Sequence, residues 1–133
     1  MDFSSLVLME KDKETGFITK ELGSYEVSEG AEYVTKLFVL DNTINLYFDT
    51  NKDVEEWEYS AIYDCFNGDR FTEEGFVFEE ELDEYNPTFI LKFKYEEEHS
   101  KTKERLDKCV SLILEEMTNV FKAIQGKEKE YTE

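Results

Sequence analysis

Near the C-terminus, Leu106, Val110, Ile113, Met117, Val120 and Ile124 recur at intervals of 4, 3, 4, 3 and 4. That spacing is the period of an α-helix and puts all of them on one stripe. Cys109 and Phe121 widen it. The pattern predicts a helix over 97–125, a rod of about 43 Å at 1.5 Å per residue. Its first turns are expected to fray, because nothing before Leu106 is apolar, and Gly126 supplies the stop. A helix with one apolar stripe must lay it on another element. A coiled coil with another chain is one solution. The chain's own sheet is preferred, because the residues ahead of the helix read as strands with an aromatic face to cover.

Residues 1–95 hold 18 of the 20 aromatic side chains, and that composition favours strands. In Thr43–Phe48, Ile44, Leu46 and Phe48 alternate onto one face. In Thr88–Tyr95, Phe89, Leu91, Phe93 and Tyr95 do the same, with Lys92 and Lys94 opposite. Ala31–Leu40 ends apolar on both faces and reads as a central strand. Asp41-Asn42 makes a two-residue connection from it to 43–49, since both residue types tolerate the positive φ of hairpin turns. Two more hairpins are expected: Ser5–Glu10 with Phe17–Leu22, and Phe76–Leu82 with Thr88–Tyr95 across the Asn86-Pro87 turn signal. Tyr25-Glu26-Val27 is a short candidate strand before Ser28-Glu29-Gly30.

Residues 54–66 fit two periods. As a strand, Trp57, Tyr59, Ala61, Tyr63 and Cys65 share a face. As a helix, Val54, Trp57, Ala61, Ile62 and Cys65 form a stripe, with Asp53 and Glu56 as an N-terminal cap pair. The alternating aromatics favour the strand. The expected fold is therefore α+β: an antiparallel meander sheet of about six to eight strands packed by one long C-terminal helix. A single domain is expected over 1–126, with 127–133 a flexible tail. The expected core comprises Leu37, Val39, Ile44, Leu46, Phe48, Trp57, Phe89, Leu91 and Phe93 from the first part. Leu106, Val110, Ile113, Met117, Val120 and Phe121 come from the helix.

Charge narrows the function. The 133 residues carry 33 Asp+Glu against 15 Lys+Arg, net −18, which argues against nucleic-acid binding through phosphate contacts. The 15% aromatic content argues against an acidic disordered chain. No apolar run reaches the roughly 18–20 residues of a membrane span. Met1-Asp2-Phe3-Ser4-Ser5 lacks a basic leader region, so a cytoplasmic location is expected. Thirteen of the acids lie in Asp53–Glu84 with Arg70 as the lone base, net −12. Lys101, Lys103, Arg105 and Lys108 cluster at the helix start.

Motifs for chemistry are sparse. Asp49-x-Asn51-x-Asp53 starts like a calcium loop, but Val54 stands where glycine is needed and Ser60 where the bidentate Glu belongs. Glu79, Glu80 and Glu81 alternate across a strand and cannot converge on one ion. Cys65, Cys109 and His99 do not supply a zinc set or a nucleophile with its base. The cysteines read as small, half-buried apolar groups and His99 as a solvated histidine. The glycines are isolated, so no phosphate cradle forms. No cofactor, metal or catalytic residue is expected, and the chain leans away from an enzyme.

Three functions stay in view. The first is a protein-interaction module docking a basic partner. Its acidic surface would be Glu55, Glu56, Glu58, Glu73, Glu74, Glu79, Glu80, Glu81, Asp83 and Glu84, with Trp57, Tyr59 and Tyr63 as aromatic anchors. The second is a small-molecule-binding domain or enzyme with an apolar cavity between sheet and C-terminal helix. The third is a structural subunit of a larger assembly with the exposed second sheet face as its interface; a homodimer is an option for the first.

Overall fold

A computed structural model describes residues 4–27 and 29–132. The expected features at Met1–Phe3, at Ser28 and at Glu133 lie outside the described residues. The first four strands are β1 (Ser4–Lys11), β2 (Ile18–Val27), β3 (Val34–Leu40) and β4 (Thr43–Asp49). Helices α1 (Glu56–Cys65) and α2 (Asp69–Thr72) follow, then β5 (Val77–Glu81) and β6 (Thr88–Lys94). The chain ends in α3 (His99–Ala123) and the one-turn α4 (Glu128–Tyr131).

The strands form one six-stranded sheet in the order β2-β1-β3-β4-β6-β5. It is mixed and not a pure antiparallel meander, because β1 pairs with β3 in parallel through Met9 opposite Phe38 and Glu10 opposite Val39. The cause lies between β2 and β3. The chain passes over the end of β1 through Gly30 and a 3-10 turn at Ala31–Tyr33. It sits so close to α3 that a Cβ on Gly30, at φ 120°, would collide with the carbonyl oxygen of Val110. Held there, β3 can reach only the free edge of β1. The expected strand over 31–40 is shortened to β3 by the same turn.

The hairpin expectations hold with small shifts. Asp41 and Asn42 take φ of 53° and 62° between β3 and β4. The β1–β2 hairpin contains two register shifts, after Leu8 and after Glu10. Tyr25–Val27 continues β2 and is not a separate strand.

Residues 54–66 correct the preferred strand reading, because Glu56–Cys65 is helical. Tyr59 and Tyr63 are four apart, so a helix puts them on one face with ring centroids 5.1 Å apart. Ala61 and Ile62 are fully buried on another face. The start is fixed by Glu58, whose carboxylate accepts the Glu55 N–H at 2.8 Å, two residues later than the cap pair expected at Asp53 and Glu56.

All helices lie on one side of the sheet. Phe48, Leu91, Phe89 and Phe93 share one cluster with Ala61, Phe71, Leu106, Val110, Ile113 and Met117. α3 is 25 residues long, about 37 Å. Its first turns are held by Thr102, buried and donating to the Glu96 carbonyl at 2.7 Å. Of the expected core, Leu37, Trp57 and Phe121 are only half-buried. The cluster adds Leu8, Tyr25, Val27, Phe71 and Phe76. The 127–133 segment carries α4, whose Tyr131 hydroxyl donates to Asp64 at 2.8 Å.

Ile113 has no exposed surface. Ile113→Asp puts an unpaired carboxylate in the core and should unfold a domain whose whole stability is on the order of 5–15 kcal/mol. Loss of the far-UV helical signal and of a cooperative melt checks this. An unchanged melt removes α3 from the core.

Candidate functional site

The expected acidic surface separates into three parts by its contacts. The largest gathers where the first turn of α1 meets the β5–β6 loop. The Trp57 indole N–H donates to Glu55 at 2.8 Å. The Tyr59 hydroxyl lies 3.1 and 3.2 Å from the carbonyl oxygens of Leu82 and Glu84. The Tyr63 hydroxyl donates to the Glu81 carbonyl at 2.8 Å and accepts the Thr88 N–H at 2.9 Å. Asn86 donates to Asp53 at 3.2 Å, and the Asp83 N–H to the Glu81 carboxylate at 3.2 Å. So Tyr59 and Tyr63, expected as anchors for a partner, instead latch the loop to α1. The result is a fixed acidic corner of Glu55, Glu56, Glu58, Glu80, Glu81, Asp83 and Glu84. At its tip Leu82 and Tyr85 stand 62% and 78% exposed. A shallow depression of about 440 Å³ runs between Val54, Glu55, Glu56, Tyr59, Ser60 and Tyr85.

The other acids lie apart from this corner. Glu74, next to Glu73, faces α3: its carboxylate is 3.6 Å from the Lys108 ammonium and its carbonyl accepts from Arg105 at 3.1 Å. Glu79 is 3.3 Å from Lys92 across β5 and β6. The basic start of α3 is likewise engaged at home. The Arg105 guanidinium covers the Phe76 ring at 4.0 Å, and Lys101 lies 3.6 Å from Glu98.

The space between sheet and helices is filled by phenylalanine. Phe66 stacks on Phe89 at 4.2 Å, on Phe78 at 5.7 Å and on Phe71 at 5.9 Å. Phe48 joins at 5.4 Å from Phe89. These separations are those of favourable aromatic pairs, about 4.5–7 Å or slightly closer. Against α3, where the cavity is expected, Leu46, Leu91, Leu106, Val110 and Ile113 share the same cluster without exposed surface.

The remaining chemistry-bearing residues are accounted for by structure. Cys109 is fully buried, and burial pushes its thiol well above the ordinary range. Cys65 is half-buried. The exposed His99 ring stacks on Tyr25 at 4.4 Å, with Nε2 3.0 Å from the Ser24 carbonyl oxygen. Asn51, at φ 58°, turns on the Asp49 carboxylate, and among the described residues no three His, Cys, Asp or Glu side chains come together to hold a metal. Glu116 was missed: it lies on α3, 4% exposed, accepting the Asn67 N–H at 2.9 Å with Arg70 3.7 Å away. Its place in the apolar face, between Ile113 and Met117, gave no periodic signal.

Residues 1–132 match a protein family described as a family of unknown function, DUF6762. The chain belongs to that family. No curated protein and no solved structure matches it. Among the described residues no helix is long and apolar enough to cross a membrane.

The latch generates a pH prediction for this DUF6762 chain. Desolvation raises the Tyr63 pKa, against a smaller lowering by the bond from Thr88. A raised tyrosine pKa means the neutral form stabilises the fold fully below the unfolded value of about 10. That contribution is lost as pH rises further. Tyr63→Phe leaves the Thr88 N–H without its acceptor and should cost about 1–3 kcal/mol near neutral pH. It should also flatten the fall in stability above about pH 10. Urea melts of both proteins across neutral and alkaline pH check the two effects.

Proposed function

We propose that the chain is a non-enzymatic, cytoplasmic protein-interaction module that docks a basic partner through the acidic corner of α1 and the β5–β6 loop. The carrying observation is the double latch of Tyr59 and Tyr63, which fixes the loop under the exposed side chains of Leu82 and Tyr85. A loop held this way loses little freedom on binding, which is the main cost a flexible acidic segment would bear. An apolar tip ringed by carboxylates has the anatomy of an interaction site, with an apolar centre and a polar rim. The corner concentrates like charge at a cost in folding free energy, and unlike Glu74 and Glu79 its acids lie away from the lysines that offset those two.

Pull-downs from lysate test the reading. The wild-type chain should retain a partner at about 50 mM salt, where the Debye length is over 10 Å, and lose it at about 1 M, where it is about 3 Å. The triple variant Glu55→Lys, Glu56→Lys, Glu84→Lys should retain none at either salt. Equal retention by the variant and the wild type removes the corner as the docking site.

A further inference from the structure

The sheet face turned away from the helices carries a surface of opposite character. Register puts Met9, Lys11, Lys36, Phe38, Asn45, Tyr47, Ile90 and Lys92 on it. Phe38 and Ile90 are only 7% and 6% exposed, yet neither belongs to the cluster under the helices. Phe38 is covered by neighbours on its own face. The Lys11 ammonium lies 4.0 Å over the Phe38 ring, and Lys36 lies 5.1 Å over Tyr47. Phe38 and Tyr47 are 5.9 Å apart. Lys94 follows Lys92 onto the same face, opposite Thr43. In a chain of net −18, lysines and aromatics alternate on this face, with Glu21 opposite Met9 and Glu79 beside Lys92 also on it.

Between β1, β2 and β3 the face opens into a depression of about 200 Å³, lined by Met9, Lys11, Ile18, Lys36, Leu37 and Phe38. That is below the roughly 300–1,000 Å³ of small-molecule sites, and suits one side chain better than a ligand. Its walls are apolar and two ammonium groups stand at its rim. The exposed tip of the β5–β6 loop is the complement: Tyr85 and Leu82 project beside Asp83 and Glu84.

We infer that the loop tip of one copy docks into the lysine-rimmed depression of a second copy, with Tyr85 between Phe38 and Ile18 and Asp83 and Glu84 on Lys11 and Lys36. This rests on the docking role proposed for the acidic corner and names its basic partner as the sheet face of the same protein. The contact is between copies and not within one. The loop leaves between β5 and β6, whereas the depression centres on β1, at the other side of the sheet. At about 4.8 Å per strand, the two are about 17 Å apart. A contact between two different surfaces either repeats head to tail into chains or a ring, or closes reciprocally about a two-fold axis into a dimer. The net charge of each copy opposes approach over long distances. At about 0.15 M salt the Debye length is about 8 Å, which screens that repulsion and leaves the touching charges in place.

Sedimentation velocity over a range of concentrations at about 0.15 M salt tests the inference. The wild type should rise from the 15.8 kDa monomer to at least twice that mass as concentration increases. Lys11→Glu with Lys36→Glu should stay monomeric, and so should Asp83→Lys with Glu84→Lys. Far-UV spectra matching the wild type keep both variants informative. Mixed in equal amounts, the two should associate again, because the reversed tip of one meets the reversed face of the other. A wild type at 15.8 kDa at every concentration overturns the inference, as do variants that associate like the wild type. If the wild type is monomeric but still retains a lysate partner in a salt-dependent way, self-docking fails while the acidic corner keeps its proposed role.

Discussion

The architecture follows from covering a six-stranded sheet on one face only. Phe48, Phe89, Leu91 and Phe93 point to the helices and are sealed by the stripe of α3 and the rings of Phe66 and Phe71. The opposite face has no second layer among the described residues, so its apolar groups need local cover. Lysine provides it, because a long aliphatic stem can lie on a ring while the ammonium stays in water. The charge pattern of the molecule follows from this arrangement. Lysines stand on the open face and at the start of α3, while carboxylates collect at the corner where α1 meets the β5–β6 loop.

Much of this was legible in the residues. The stripe from Leu106 to Ile124 is long enough to admit one period only, and Asp41-Asn42 carries its turn chemistry in its own backbone preferences. The 54–66 segment was not legible, because its aromatics fit two periods at once. What decided it was tertiary: Tyr59 and Tyr63 had carbonyl oxygens to reach on a loop some twenty residues later. The parallel pairing of β1 with β3 was hidden for a similar reason. It depends on Gly30 lying against Val110, a contact between segments 80 residues apart. The acidic residues were found but not their grouping. Glu74 and Glu79 have cationic neighbours brought to them by the fold, and a linear count of charge does not reveal those pairings.

Burial separates structural chemistry from the surfaces that meet other molecules. Cys109 and Glu116 are enclosed, and the half-buried Tyr63 is tied to neighbouring backbone, although all three carry reactive or ionisable groups. Exposure falls instead on Leu82, Tyr85, Ile18 and Val77, all at loop tips or sheet edges. The membership in DUF6762 extends over residues 1–132, so the corner and the lysine face both lie within the family's span.

The crossing at Gly30 also dictates an order of events during synthesis. β1 emerges from the ribosome first and folds back with β2, but its second edge stays bare until Val34–Leu40 has been made. The aromatic underside of the sheet waits longer, since α3 is translated after every strand. Early in translation the nascent polypeptide therefore displays an unpaired strand edge, and until α3 is made an uncovered greasy layer, the two features that chaperones bind and that aggregates grow from.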